Sequence, residues 1–212
     1  MCASYGLDPR FKDADDILAG DVELLDNLRS WAVHNGGQTL LPTGKNLRNV
    51  NPIVQERDGY RAVELAWWGY LVKGQPANFP SINTRSERLM ERTAPLPARA
   101  VVPATTWFEM QKPSRQWFQF EGADLELLAM AAVTQPGRTA DGTAFTCYSI
   151  VMRPAPDMLL SVHDRMPLLI PATFLAEWLA SDAPSRDVVE IAVVESDRVL
   201  RGVTAQAIAA RP

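Results

Sequence analysis

Apolar residues in this 212-residue chain fall mostly into short runs bounded by Pro, Gly, Asn and Asp, and that spacing restricts the fold more than any other feature. Runs of five to ten residues between turn signals fit strands better than long helices. Residues 63–72, with Leu-Ala-Trp-Trp-Gly-Tyr-Leu-Val, read as a buried strand. Residues 101–110 and 116–120 read as two strands around the polar turn Lys112-Pro113-Ser114. Residues 125–134 and 144–152 follow, with turns at Pro136-Gly137 and Asp141-Gly142, and 188–194 with 199–207 read as a closing pair. Helical spacing is confined to 14–31 (Ile17, Leu18, Leu24, Leu25, Leu28, Trp31, ending at Gly36-Gly37), 86–92 and 172–179 (Phe174, Leu175, Trp178). Residues 40–52 and 73–80 read as loops. The expected fold is a mixed α+β domain spanning 1–212, built round a mostly antiparallel β-sheet with a few flanking helices.

No window approaches the ~20 apolar residues of a membrane-spanning helix, and Met-Cys-Ala-Ser-Tyr-Gly does not resemble a secretory signal. A soluble, cytoplasmic monomer without a membrane partner is expected. Cys2 and Cys147 make no disulfide framework, and with only His34 and His163 beside them no metal site or cofactor is expected. Cys147 lies in an apolar run and reads as a buried strand residue. His34 suits a helix C-terminus.

The formal net charge of −4 argues at first against nucleic acid as a partner. It is unevenly spread: residues 1–26 carry −5, residues 27–115 carry +6 and residues 116–212 carry −5. Such a basic middle block is either a solvated surface or the footprint of a polyanion.

Four places carry groups capable of chemistry. Cys2 is either an incidental second residue or, once Met1 is removed, a 1,2-aminothiol. Its amine (pKa about 7.7–8.0) and thiol (about 8.5) would together convert an aldehyde first to an imine and then to a thiazolidine ring. His163, within His163-Asp164-Arg165-Met166-Pro167, is either a hydrogen-bonded core residue or a general acid/base. Asn83-Thr84-Arg85-Ser86-Glu87 either caps a helix or offers donors to an anion. Glu109, within Thr106-Trp107-Phe108-Glu109-Met110, is either an exposed strand residue or a carboxyl whose pKa is raised by desolvation.

Taken together, these segments resemble the SOS-response-associated peptidase (SRAP) family, which captures abasic sites in single-stranded DNA. The resemblance rests on Met-Cys at the start, Asn49-Val50-Asn51-Pro52 (against Asn-Val-Ala-Pro), Trp68-Gly69, Asn83-x-Arg85-x-Glu87, an aromatic pair before Glu109, and His163-x-Arg165-Met166-Pro167, in that order. It spans residues 2 to about 180 and implies a barrel-like sheet with a basic groove.

The resemblance also implies roles. Cys2 would form a thiazolidine with the abasic sugar, shielding the lesion, and Asn83 would position the Cys2 amine and the sugar. Glu109 would move protons at the sugar, and His163 would assist imine chemistry and reversal. Arg85 would hold a phosphate. Arg48, Asn49, Lys73, Arg88 and Arg165 would extend the DNA contact, with Trp67 or Trp68 as a stacking platform, since alternation lets only one of the two face the core. The resemblance also implies an accompanying autoproteolytic (Met1-removing) cysteine peptidase or lyase activity; an N-terminal-nucleophile cysteine peptidase and a passive single-stranded DNA-binding protein are the alternatives. A DNA partner further implies association with the nucleoid. The chain departs from the family pattern at Cys2-Ala3-Ser4 (against Cys-Gly-Arg), after Trp68-Gly69, where a Pro and a second Trp are absent, and around Glu109 (Trp-Phe-Glu-Met against Phe-Tyr-Glu-Trp).

Overall fold

The computed structural model describes residues 2, 4–13, 16–35 and 50–209. Its strands are β1 (Tyr5–Gly6), β2 (Val50–Arg57), β3 (Tyr60–Trp68), β4 (Leu71–Val72), β5 (Gln75–Pro76), β6 (Asn83–Arg85) and β7 (Arg99–Ala104). They continue with β8 (Thr106–Met110), β9 (Trp117–Glu121), β10 (Leu128–Arg138), β11 (Ala144–Pro154), β12 (Arg165–Pro167) and β13 (Thr204–Ile208). The helices are α1 (Val22–His34), α2 (Ser86–Met90), α3 (Ala172–Ala180) and α4 (Ser185–Leu200).

Five strands close on themselves in the order β10-β7-β2-β3-β11, with β11 returning to β10, so the α+β, barrel-like expectation holds. All these pairings are antiparallel except β3–β11, which joins only Trp67 and Trp68 to Cys147 and Tyr148. Beyond that point β6 runs parallel to β11, with Asn83 beside Ile150. A second sheet, β1-β8-β9-β13, packs against the ring.

Alternation divides the strands between two cores. Ile53, Ala100, Val102, Met130, Ala132, Tyr148 and Ile150 share one cluster with Cys2, Tyr5, Trp68 and Trp107. Their neighbours Val54, Val101, Ala131, Val133 and Val151 join the other cluster with Leu28 of α1, Trp178 of α3 and Val188 of α4.

Several elements differ from expectation. The first helix begins at Val22, capped by the Asp21 carboxylate, which accepts from Leu24 N–H at 3.0 Å. Upstream, Asp16, Ala19 and Gly20 take left-handed φ values that no helix tolerates, so Ile17 and Leu18 are buried from a turn instead. Gly36-Gly37 and residues 40–49 of the expected loop lie outside the described residues, and Val50–Pro52 open β2. The expected strand 63–72 breaks at Gly69 (φ +92), and β4 then pairs with β5 inside the expected loop 73–80. The 101–110 run is divided at Thr105 between β7 and β8, which belong to different sheets.

Pro136-Gly137 is not a turn. Both residues pair with β11, and Gly137 is needed there because a Cβ would lie 2.4 Å from Cys147 Sγ. The turn falls at Asp141-Gly142, where Asp141 Oδ1 accepts from Thr143 N–H. The segment 188–194 is helix, not strand, and lies wholly within α4; of the last expected strand only Thr204–Ile208 forms. Among the described residues no helix is long and apolar enough to cross a membrane.

Candidate active site

Pairing of the chain's first residues with β8 builds the site. Tyr5 sits opposite Trp107 and Gly6 opposite Thr106, while Phe108 N–H donates to Ser4 O at 3.1 Å. This antiparallel register carries Cys2 toward Glu109, two residues beyond Trp107 on the same face of β8. Cys2 is fully buried. From the ring, Asn83 at the head of β6 donates its amide Nδ2–H to Cys2 O at 2.7 Å. The Asn83 Oδ1 is buried and accepts no hydrogen bond among the described residues.

Glu109 is 4% exposed, and burial pushes its carboxyl up to about 7. Of the two sequence readings, the desolvated carboxyl is the one the structure supports. Burial, followed by the negative charge of Glu109, also pushes the Cys2 thiol well above its ordinary range. The thiol is therefore held protonated and cannot ionise in advance of reaction.

His163 reaches the cluster from a loop pinned to β11 by Ala155 N–H donating to Asp164 O at 3.0 Å. Its Nε2 lies 4.0 Å from Glu109 Oε2. Its Nδ1 accepts the Arg165 backbone N–H at 3.0 Å, which places the proton of the neutral ring on Nε2, facing Glu109. The exposed Asp164 carboxylate also lies 3.0 Å from Nδ1. Burial dominates, and the imidazole pKa is lowered. Near neutral pH the ring is neutral while the neighbouring carboxyl is divided between its two protonation states. One proton can thus be passed between a buried carboxyl and a half-buried imidazole.

The Asn83–Glu87 segment splits its functions. Asn83 serves Cys2, and Glu87 takes two bonds from Arg165 Nη1 at 2.6 and 2.7 Å. Partial burial raises the Glu87 carboxyl, but its own backbone N–H and Arg165 outweigh that and hold it below its ordinary range. Arg165 thus commits its Nη1 to an ion pair with Glu87. Arg85 lies two residues from Asn83 on the same face of β6 and is exposed, as is Arg88 on α2.

Trp68 is completely buried, so its ring offers no face to a base. Its indole donates to Ile82 O at 2.9 Å, and the ring stacks on Tyr148. Trp67 points to the opposite face of β3 and packs against Phe145 with ring centroids 5.7 Å apart. The alternation argument holds, but it turns Trp67 away from the Cys2 side of the strand. Lys73 sits in the β4–β5 turn beside the tip of the β10–β11 hairpin, where Gly74 bridges Thr139. From there to Asn83, beside Ile150, is roughly 20 Å along β11 at the usual strand rise. Arg48 and Asn49 lie outside the described residues.

Sequence reasoning missed a buried polar chain behind Cys2. The Tyr5 and Tyr148 hydroxyls are 2.9 Å apart, and Asn51 Nδ2 donates to the Tyr148 hydroxyl at 3.2 Å. Burial raises both phenols, keeping them protonated. The available signal was Asn51 itself, which stands where the Asn-Val-Ala-Pro pattern has alanine.

A closed β-ring with a second sheet that carries an N-terminal cysteine against a buried carboxyl–imidazole pair defines the class. Residues 33–206 match the family model described as SOS response associated peptidase (SRAP), and the chain belongs to that family. The abasic site processing protein YedK of Escherichia coli K12 is 29% identical over 202 residues, covering 91% of this chain and 85% of that protein. The abasic site processing protein YobE of Bacillus subtilis 168 is 24% identical over 190 residues, covering 84% and 82%. Among solved structures, a Bacteroides thetaiotaomicron protein shares the fold with a TM-score of 0.67 at 14% identity, covering 98% of this chain and 92% of that one. A phage-related protein of Bordetella bronchiseptica does so with 0.63 at 20% identity, covering 99% and 94%.

Proposed function

We propose that this protein processes abasic sites in single-stranded DNA by forming a thiazolidine crosslink through Cys2 after Met1 is removed. The observation that carries the reading is that Cys2, whose carbonyl accepts from the Asn83 amide at 2.7 Å, feels the charge of Glu109, which in turn lies 4.0 Å from His163. Membership of the SRAP family, and relatives named as abasic site processing proteins, support the same substrate.

The ring-opened sugar presents an aldehyde. The freed Cys2 amine adds to its carbonyl carbon, forming a C–N bond, and the carbinolamine hydroxyl takes a proton and leaves as water to give a protonated imine, whose nitrogen keeps its N–H. That departure needs an acid, and a carboxyl with a pKa near 7 holds a proton available at neutral pH. The Cys2 sulfur then adds to the imine carbon, forming the C–S bond. The thiol proton leaves as that bond forms, accepted by Glu109 in its ionised state, and the nitrogen ends as a secondary amine. Water is the only product lost, and no redox partner is required. Asn83, by fixing the Cys2 carbonyl, sets the direction of the amine, and its free Oδ1 offers an acceptor to the amine or to a sugar hydroxyl.

A peptidase reading fits this electrostatics less well. Cysteine peptidases use a thiolate stabilised by a cationic imidazole, whereas here burial raises the thiol and lowers the imidazole. Incubation with an abasic oligonucleotide should yield a slowly migrating band on a denaturing gel. Absence of the band, or an undiminished band from Cys2→Ala, would overturn the proposal. Mass spectrometry of the purified protein checks that Met1 is gone.

A further inference from the structure

Once ion pairs are set aside, few cations near Cys2 remain available. Among the described residues Arg165 is paired with Glu87 and Arg57 with Glu64, while Arg153 is paired with Asp197 away from the cluster. Three exposed cations near the site are in no ion pair among the described residues. Arg85 lies on β6, in the strand that fixes Cys2 through Asn83. Lys112 and Arg115 lie on the turn joining β8 to β9, which begins two residues past Glu109.

That turn is built rather than loose. Gln111 N–H donates to Gln116 O at 2.8 Å, Arg115 N–H to Gln111 O at 2.9 Å, and the Ser114 hydroxyl to Gln111 Oε1 at 2.7 Å. Gln111 Nε2 donates to Ser161 O at 2.6 Å, tying the turn to the loop that carries His163 two residues later. Arg115 takes a left-handed φ of 61°, a conformation glycine would adopt without steric conflict. The Lys112 charge also reaches His163, adding to the effect of burial in lowering its pKa.

We infer that Lys112 and Arg115 on the β8–β9 turn, together with Arg85 on β6, form a phosphate clamp that seats a single-stranded DNA backbone across Cys2. The two elements belong to the two sheets between which Cys2 lies, β8 beside β1 and β6 beside β11, so a strand held by both would span the junction that holds the nucleophile. The hydrogen bonds within the turn fix its backbone before binding, which reduces the ordering cost of binding. This inference rests on the DNA reading of the site and identifies which surface takes the strand.

The test is salt-dependent binding of an intact single-stranded oligonucleotide, followed by fluorescence anisotropy. Each phosphate contact on a single strand contributes about 0.7 to the slope of log affinity against log salt. A Lys112→Gln/Arg115→Gln double variant should lose ~1.4 from that slope and bind about 25-fold more weakly at 0.1 M salt. Arg85→Gln should lose about half as much slope, and Arg201→Gln, at the far end of α4, none. The abasic-strand concentration that gives half-maximal crosslinking should be raised by the same factor in the double variant. A wild-type slope in the double variant, with thermal unfolding unchanged, overturns the clamp. Failure of the wild type to crosslink would instead remove the thiazolidine reading, while the slopes on intact DNA would still decide the clamp.

Discussion

Replacing Glu109 with glutamine should stabilise the protein above neutral pH while abolishing its chemistry. Burial holds the carboxyl at about 7 instead of its ordinary 4.5. Below pH 4.5 the group is protonated in both folded and unfolded chains and contributes nothing to the pH dependence. Between 4.5 and 7 the unfolded chain has released the proton that the folded chain still holds, so stability falls as pH rises. Above 7 the folded protein carries a buried carboxylate at a cost of ~3 kcal/mol, at about 1.4 kcal/mol per pH decade. Glutamine keeps the shape and never ionises. Urea unfolding of the full 212-residue chain and of Glu109→Gln at pH 5, 6, 7 and 8 should therefore give stability differences that widen in favour of the variant. The expected gap grows from about 1 kcal/mol at pH 5 to about 3 kcal/mol at pH 8, and the variant should form no crosslink. A gap independent of pH, or one widening toward acid, would refute the desolvation argument and with it the acid role given to Glu109.

Three further outcomes test the surrounding packing. Tyr148→Phe removes the shared partner of the Tyr5 hydroxyl and the Asn51 amide inside the barrel, and should cost about 1–3 kcal/mol in urea unfolding. Trp68→Ala should cost about 3–5 kcal/mol and Trp67→Ala about 1–2, because only the former is wholly buried; equal costs would refute the facing. Gly137→Ala should cost about 1–3 kcal/mol, and Cys147→Ala in the same chain should recover most of it by removing the sulfur 2.4 Å from the added Cβ.

Strands in the ring were legible because one buried face imposes a period of two, as in Ala100-Val101-Val102, which divide between the two cores. Helix α4 was not, because Val188-Val189-Glu190-Ile191-Ala192-Val193-Val194 is rich in β-branched residues and short windows cannot separate the periods. What makes it helical is burial at Val188, Val189, Ala192, Ser196 and Leu200, leaving Ile191 and Val194 exposed. Its buried serines carried no apolar signal. They are tolerated because Ser185 Oγ donates to Leu89 O and Ser196 Oγ accepts from Leu169 N–H, bonds formed only after the helix docks.

The proposed reactive set and the proposed DNA surface differed in legibility for a related reason. Cys2, Asn83, Glu109 and His163 are each given, in the proposed reaction, a task that few other side chains could perform, so their identities alone carry information. A cation is interchangeable until its neighbours are known. The +6 block contributes Arg57, which is neutralised by Glu64 within the β2–β3 hairpin, while Arg165, outside the block, is neutralised by Glu87. Lys73 is in no ion pair among the described residues, and it lies at the end of β11 away from Asn83. Lys112 was placed in a polar turn that drew attention only as a break between strands. Folding sets that turn beside Glu109 and His163 through the Gln111–Ser161 bond, a contact spanning fifty residues of sequence. A regional charge count therefore locates the block but not the binding surface, because ion pairing and long-range closure decide which of its charges remain available to a phosphate.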